Sequence, residues 1–228
     1  MIFNDWYNNE AIKIWNKFSK HELVPQLIPH TEDNYHTIFV GINPAHQIVK
    51  IKKILDTNKI EFGNHNIESI FNWNDGEKIK ERVGYIAKME AYARKHDNNY
   101  FGAIKKFANQ LNLTNWTHLD IFLVRETVQN NLLNLIELND NNFKMNDFGE
   151  QQLNLFFESI KKLNPKNVIV LNALASRLII SKLNNNKIDT TFQSNSTRYF
   201  LSSMISGQRS LDIFSKSRLI NEIKMYNS

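Results

Sequence analysis

Thr37-Ile-Phe-Val-Gly-Ile-Asn-Pro-Ala-His-Gln47 fixes how the rest of the chain is read. The apolar run Ile38 to Val40 stops at Gly41, and Asn43-Pro44 follows at once. A short apolar run closed by turn residues predicts a buried strand, here Thr37–Val40. Its carboxyl end delivers a polar side chain, Asn43, into a tight turn. In α/β proteins ligands bind outside the carboxyl ends of strands, so the stretch predicts a site, though not a reaction.

Working outward, three more strands are expected at Trp116–Val124, Val168–Leu171 and Arg198–Ser202. Between and around them lie helical patterns at 5–24, 77–95, Phe101–Leu111, 149–163, Ala173–Leu183 and Phe214–Tyr226. The clearest is Phe101–Leu111, where Ile104, Phe107, Ala108 and Leu111 form an i, i+3, i+4, i+7 stripe. Residues 48–60 form a basic, mixed segment, 61–76 a polar loop, 128–146 a short helix and loop, and Asn184 to Ser196 a second polar loop. Strands alternating with helices of this length predict crossover units and a parallel sheet. The expected fold class is α/β: a three-layer α/β/α sandwich with a small central, mainly parallel four-stranded sheet, forming a single domain over residues 1–228.

Composition narrows the function classes. The 228 residues are 42% hydrophobic and 22% charged, ordinary values for a soluble domain. No apolar run approaches the roughly 18 residues that span a bilayer, and no membrane partner is expected. There is no cysteine, which excludes disulfides and thiolate metal sites. The opening Met-Ile-Phe-Asn-Asp-Trp lacks the basic start and apolar stretch of a signal peptide, so a cytoplasmic location is expected. A net charge of +5 and a pI near 9.2 suit a polyanionic partner without requiring one. The seven histidines show no His-x-x-x-His spacing, and Gly-x-Ser-x-Gly, P-loop and Gly-x-Gly-x-x-Gly patterns are absent from the sequence. Neither a metal nor a cofactor is expected.

Several segments together resemble the uracil-DNA glycosylase superfamily, across most of residues 37–224. Gly41-Ile-Asn-Pro44 resembles the first active-site motif of its mismatch-specific uracil and thymine glycosylase branch. Tyr100-Phe101 and the following helix resemble the base-stacking aromatic and its helix, and Leu119-Asp-Ile-Phe-Leu-Val-Arg125 lies where the family carries a base-reading Asn. Gln151 to Ala175 is similar to the family's helix, Asn-Pro-Lys break, strand and Ala-containing helix. Ser202-Ser-Met-Ile-Ser-Gly-Gln-Arg209 with Phe214-Ser-Lys216 resembles its second active-site motif, intercalation loop and last helix.

The resemblance implies a glycosylase that hydrolyses the N-glycosidic bond of a flipped, damaged or mismatched DNA base. It implies Asn43 and Ser203 as catalytic residues, and Ile42, His46, Tyr100, Phe101 and Asp120 as base-binding residues. Ser202, Ser206, Gln208, Arg209 and Lys216 would meet DNA, duplex or single-stranded, and the protein would act as a monomer. An amide cannot serve as a general base, so Asn43 would position water and catalysis would rest on electrostatics.

Each of these residues has a plainer reading beside it. Phe101 suits a core aromatic at a helix start, and His46 suits an ordinary loop. Asp120, mid-strand, is expensive to bury unless paired or functional. Its structural explanation is a salt bridge to Arg125 or a helix cap. Its functional one is a carboxylate facing a base edge that presents donors, which puts plain uracil in doubt. Counting back from Arg209, the family's second-motif His or Asn falls near Leu201, which cannot hydrogen-bond a leaving base. The segment Ser202 to Arg209 and the helix after it suit either phosphate contacts or a solvated face, and Met204 or Ile205 offers an apolar wedge. The alternative function is a non-catalytic nucleic-acid-binding relative. An enzyme acting on free nucleosides is a third reading.

Overall fold

The structure is a computed structural model, and it describes residues 2–18, 21–28, 35–45, 48–57, 67–73, 79–139, 142–183, 189–207 and 210–227. The chain divides into two compact units, Met1–Asp33, Asn43–Asp97 and Phe122–Ser159 in the first, and Asn34–Ile42, Asn98–Ile121 and Ile160–Ser228 in the second.

The first unit is helical. It holds α1 (Phe3–Phe18), α2 (Ile48–Thr57), α3 (Ile67–Ile70), α4 (Ile79–His96), α6 (Gln129–Leu135) and, through Ser159, most of α7 (Asp147–Leu163). The second helix forms from the segment read only as basic and mixed, and α3 lies inside the expected polar loop. Trp15 packs edge-on against Phe148 at 5.1 Å, and its indole N–H donates to the Leu23 carbonyl at 2.8 Å. Buried extended segments link these helices by backbone bonds, Gln26 N–H to Leu123 carbonyl at 3.0 Å and Val24 N–H to Phe71 carbonyl at 2.8 Å. Arg125 anchors them: its guanidinium donates to the Val24 and Pro25 carbonyls at 2.8 and 3.1 Å, lies 4.9 Å over the Phe71 ring and pairs with the buried Glu90 carboxylate. The Glu90 carboxylate also accepts the Leu27 N–H at 3.2 Å. Arg125, one of the partners expected for Asp120, pairs with Glu90 in this unit.

The second unit holds the sheet, in the order β2-β1-β3-β5-β4. Its strands are β1 (Thr37–Gly41), β2 (Trp116–Asp120), β3 (Asn167–Leu171), β4 (Thr191–Ser194) and β5 (Thr197–Ser202), all parallel except β4. Five strands replace the expected four. The addition, β4, arises inside the predicted polar loop, where a two-residue connection, Asn195-Ser196, folds Thr191–Ser194 back onto β5. Asn195 takes the left-handed backbone region, φ 53°, that such tight hairpins need and that Asn tolerates. Phe192 and Tyr199 are cross-strand partners with stacked rings 5.0 Å apart. That pair gives a short, otherwise polar strand an apolar hold. Strand β2 ends at Asp120, four residues before the expected Val124.

Side chains alternate across a sheet, so Phe39, Ile169, Leu171 and Phe200 share one face. They join Ile104, Phe107, Ala108 and Leu111, from α5 (Tyr100–Gln110) and the turn closing it, and Leu219 and Ile223 of α9 (Ile213–Asn227) in one buried cluster. Full burial of each such side chain contributes about 1.5–3 kcal/mol. Helix α8 (Ala173–Leu183) packs on β3 and β5. From β1 the chain visits β2 on one side and then β3 on the other, so the winding direction reverses between β1 and β3. Ligands of open α/β sheets bind outside the carboxyl ends at such a reversal.

Candidate functional site

At the carboxyl ends of β1 and β2, Gly41 stands opposite Asp120 and Phe39 opposite His118. Residues i and i+2 of a strand share a face, so His118 and Asp120 project together on the side that carries Phe39. Helix α5 supplies Tyr100 from its first residue. The Tyr100 hydroxyl is 3.0 Å from His118 Nε2, and Asp120 Oδ1 is 3.8 Å from the same nitrogen.

All three groups converge on Gly41. A Cβ on that glycine would overlap the Asp120 carboxylate and lie 3.0 Å from the Tyr100 hydroxyl and 3.2 Å from His118 Nε2. Glycine is required at the strand end because a carboxylate oxygen occupies the space of a side chain. A carboxylate, an imidazole and a phenol therefore meet at one point, with Asp120 only 4% and His118 only 3% exposed. Phe101 is half-buried, packs against the α5–α9 core and sets its ring 5.2 Å from that of His118, nearly perpendicular. Phe101 thus lies with one side against the core and the other beside the polar cluster.

In the first unit, Asn43 is fixed through its amide nitrogen. It donates to the carbonyls of Glu126 at 2.7 Å and Val124 at 3.2 Å, with Pro44 at 3.4 Å. With the –NH2 turned to the backbone, the orientation of the amide, and so of its carbonyl oxygen, is set.

The remaining expected residues divide. Ile42 is buried at 8% exposure. His46, Gln208 and Arg209 lie outside the described residues. Ser203 is half-buried just past β5 and is not among the groups converging on Gly41. Ser202 is tied to α8, its carbonyl accepting from the Ser176 hydroxyl at 2.8 Å and its N–H donating back at 3.2 Å. Ser206 and Lys216 are half-buried, and the Lys216 ammonium lies 5.8 Å over the Phe107 ring.

Two details of the DNA-facing expectation change. Ile205 is 8% exposed and belongs to the α5–α9 core, so of the two apolar wedge residues only Met204 keeps exposed surface. The N-terminus of α9 is capped from within: Asp212 accepts the N–H groups of Phe214 and Ser215 at 2.8 and 2.9 Å and the Ser215 hydroxyl at 2.6 Å. These bonds, the Ser215 hydroxyl first, hold the Asp212 carboxyl below its ordinary pKa. An anionic cap already fills the place expected for a phosphate.

Leu201 is 6% exposed and packs as an ordinary strand residue. His118 and the role of Gly41 escaped the sequence reading. The signal was present as His118-x-Asp120, two ionisable residues on one face of a short strand.

Among the described residues, no group of three or more His, Cys, Asp and Glu could hold a metal ion, and no helix is long and apolar enough to cross a membrane. Comparison with protein-family models and with curated proteins gives no match to this chain.

Proposed function

We propose that this protein is a DNA base-excision glycosylase of the uracil-DNA glycosylase type, built on a three-layer α/β/α sandwich. The observation that carries the reading is the convergence of Asp120, His118 and Tyr100 on Gly41, the first residue of the Gly-Ile-Asn-Pro motif. Gly41, His118 and Asp120 sit at strand ends next to the winding reversal and Tyr100 at the start of α5, with a half-buried aromatic, Phe101, beside them. Asp120 reads the edge of a flipped base and Phe101 lies against its face. Asn43, from the sequence motif, positions water. Its locked amide supports that role, since a fixed carbonyl oxygen can hold a water without reorganisation. DNA is the partner, and the protein works as a cytoplasmic monomer.

The reaction requires the C1′–N bond to break with its electron pair leaving on the base, and water oxygen to bond to C1′ while the proton it sheds neutralises the departing base. One observation favours a second reading. Leu201 stands where a hydrogen-bonding residue would hold the departing base, and it is packed in the sheet. A relative that binds nucleic acid without cutting would need nothing there.

Release of free base from duplex and single-stranded oligonucleotides bearing uracil, mismatched thymine, hypoxanthine or xanthine separates the two. Release from any of them, reduced in Asn43→Ala, supports excision. Salt-dependent binding without release supports the non-catalytic reading.

A further inference from the structure

Asn43 is one of four polar side chains gathered within the first unit, the others being His21, Glu126 and Asn131. The chain turns tightly at Val124–Glu126, where the Glu126 N–H donates to the Val124 carbonyl at 3.1 Å, and the carbonyls of both residues hold the Asn43 amide nitrogen. The residue that fixes Asn43 through its backbone thus carries a carboxylate of its own. Asn131 of α6 donates to Glu126 Oε2 at 3.3 Å, and His21 Nε2 lies 3.5 Å from Glu126 Oε1. His21 Nδ1 accepts the Leu23 N–H at 3.2 Å, so a neutral imidazole carries its proton on Nε2, the nitrogen nearer the carboxylate.

These contacts orient the carboxylate without saturating it. Both are long, and the Glu126 side chain keeps 26% of its surface exposed. The neighbouring cation, Arg125, is paired with the buried Glu90 instead. Among the described residues, His21 is the one titratable group within ion-pair distance of Glu126. A carboxylate of purely structural use closes onto a fixed cation, as Glu90 does; Glu126 retains lone pairs for a ligand. On Asn43 the –NH2 is spent on three carbonyls, which leaves its Oδ1 as the acceptor.

We propose that Glu126 is the general base of this site, taking a proton from the water that Asn43 holds. The water donates one hydrogen to Asn43 Oδ1 and the other to the Glu126 carboxylate, so its lone pair is left to attack. As the water oxygen bonds to C1′, one proton passes to Glu126. The C1′–N bond breaks with its electron pair on the base, and the proton moves through solvent from Glu126 to that base, which regenerates the carboxylate. An amide cannot take a proton in this way, and Glu126 supplies the group that Asn43 lacks. The proposal rests on the excision reading and adds to it a catalytic residue outside the Gly-Ile-Asn-Pro motif.

The test is single-turnover release of free base across a range of pH, with the intact protein and the oligonucleotides bearing uracil, mismatched thymine, hypoxanthine or xanthine. The wild-type rate is expected to fall toward acid pH as the carboxylate takes up a proton. Glu126→Gln, which keeps the size of the side chain, should be at least about 100-fold slower, the usual share of a general base, and should lose that acid limb. Glu126→Ala should regain part of its rate with added formate, a small carboxylate that fills the vacated place. A structural role would move neither the acid limb nor the response to formate.

Release by Glu126→Gln equal to that of the wild type overturns the proposal and leaves excision standing. So does a slow Glu126→Gln that keeps the acid limb, or a wild-type rate that does not fall toward acid pH. Should Glu126→Gln not fold, the wild-type profile and the response of Glu126→Ala to formate decide. No release from any oligonucleotide by the wild type removes the excision reading and the proposal with it.

Discussion

The Asp120 carboxylate occupies the space into which a side chain on Gly41, its partner on the adjacent strand, would project. That single relationship couples the sheet to the site. The backbone of β1 has to be bare at its last residue for the polar groups of β2 and α5 to meet. Gly41→Ala is expected to drive Asp120 out of place and to cost about 1–3 kcal/mol, the usual penalty for overfilling a packed site. Denaturant unfolding measures the cost. Loss of base binding or release beyond what the stability change explains would mark the displaced carboxylate.

The ties from Asn43 to Val124 and Glu126 predict a contrast between two substitutions. Asn43→Asp keeps the shape but sets a carboxylate oxygen against backbone carbonyls, and should cost about 1–3 kcal/mol, the penalty of unmet buried polar groups. Asn43→Ala removes the ties without adding repulsion and should cost less. Thermal unfolding of the pair checks the order. If Asn43→Asp proves the more stable, the bonds from its amide nitrogen are not what holds the turn.

Much of the sheet was legible in the sequence, and the residues say why. Thr37–Val40, Val168–Leu171 and Arg198–Ser202 are short apolar or aromatic runs closed by turn residues, and each forms a strand at nearly its expected bounds. Trp116–Val124 was read too long because Ile121 to Val124 are as apolar as a strand, yet after Ile121, whose N–H still bonds the Gly41 carbonyl, Leu123 pairs its backbone with Gln26 and the Gln152 side chain in the helical unit. Burial was readable there and pairing was not. Strand β4 was hidden because Asn195, its turn residue, is one of many asparagines in the chain. Its apolar content is a single Phe192 whose partner, Tyr199, is known only once the hairpin closes. The site was half legible. Asp120 stood out as a carboxylate among apolar residues, with Arg125 or a helix cap as its expected structural partner, but the nearby His118 was not read. Nothing local shows that Glu90, 35 positions earlier, has claimed that guanidinium.

That claim is itself testable. Glu90 and Arg125 are both nearly fully buried, and Arg125 also holds two backbone carbonyls. Glu90→Gln leaves a buried guanidinium without its counter-charge and should destabilise by about 3–5 kcal/mol. A loss below 1 kcal/mol in urea unfolding would mean the pair is not a structural anchor.

Burial raises the Tyr199 phenol to about 12, against an ordinary value of 10.0. Below pH 10 both folded and unfolded chains keep this proton. Between about 10 and 12 the unfolded chain releases it and the folded chain does not, so stability falls as pH rises through that window. Tyr199→Phe should flatten this part of the profile of melting temperature against pH. At the other extreme, the depressed Asp212 carboxyl contributes stability above the ordinary carboxylate range and loses it as pH falls. Asp212→Asn should weaken that acid dependence, as circular dichroism melts at low pH would record.

The most direct measurement is the quantity of free base released by the purified protein from oligonucleotides bearing uracil, mismatched thymine, hypoxanthine or xanthine, with Asn43→Ala run in parallel. The proposed excision requires release from at least one substrate, with the rate in Asn43→Ala lower by at least about 100-fold, as loss of a positioned reactant implies. No release from any substrate, or equal release by wild type and Asn43→Ala, contradicts it.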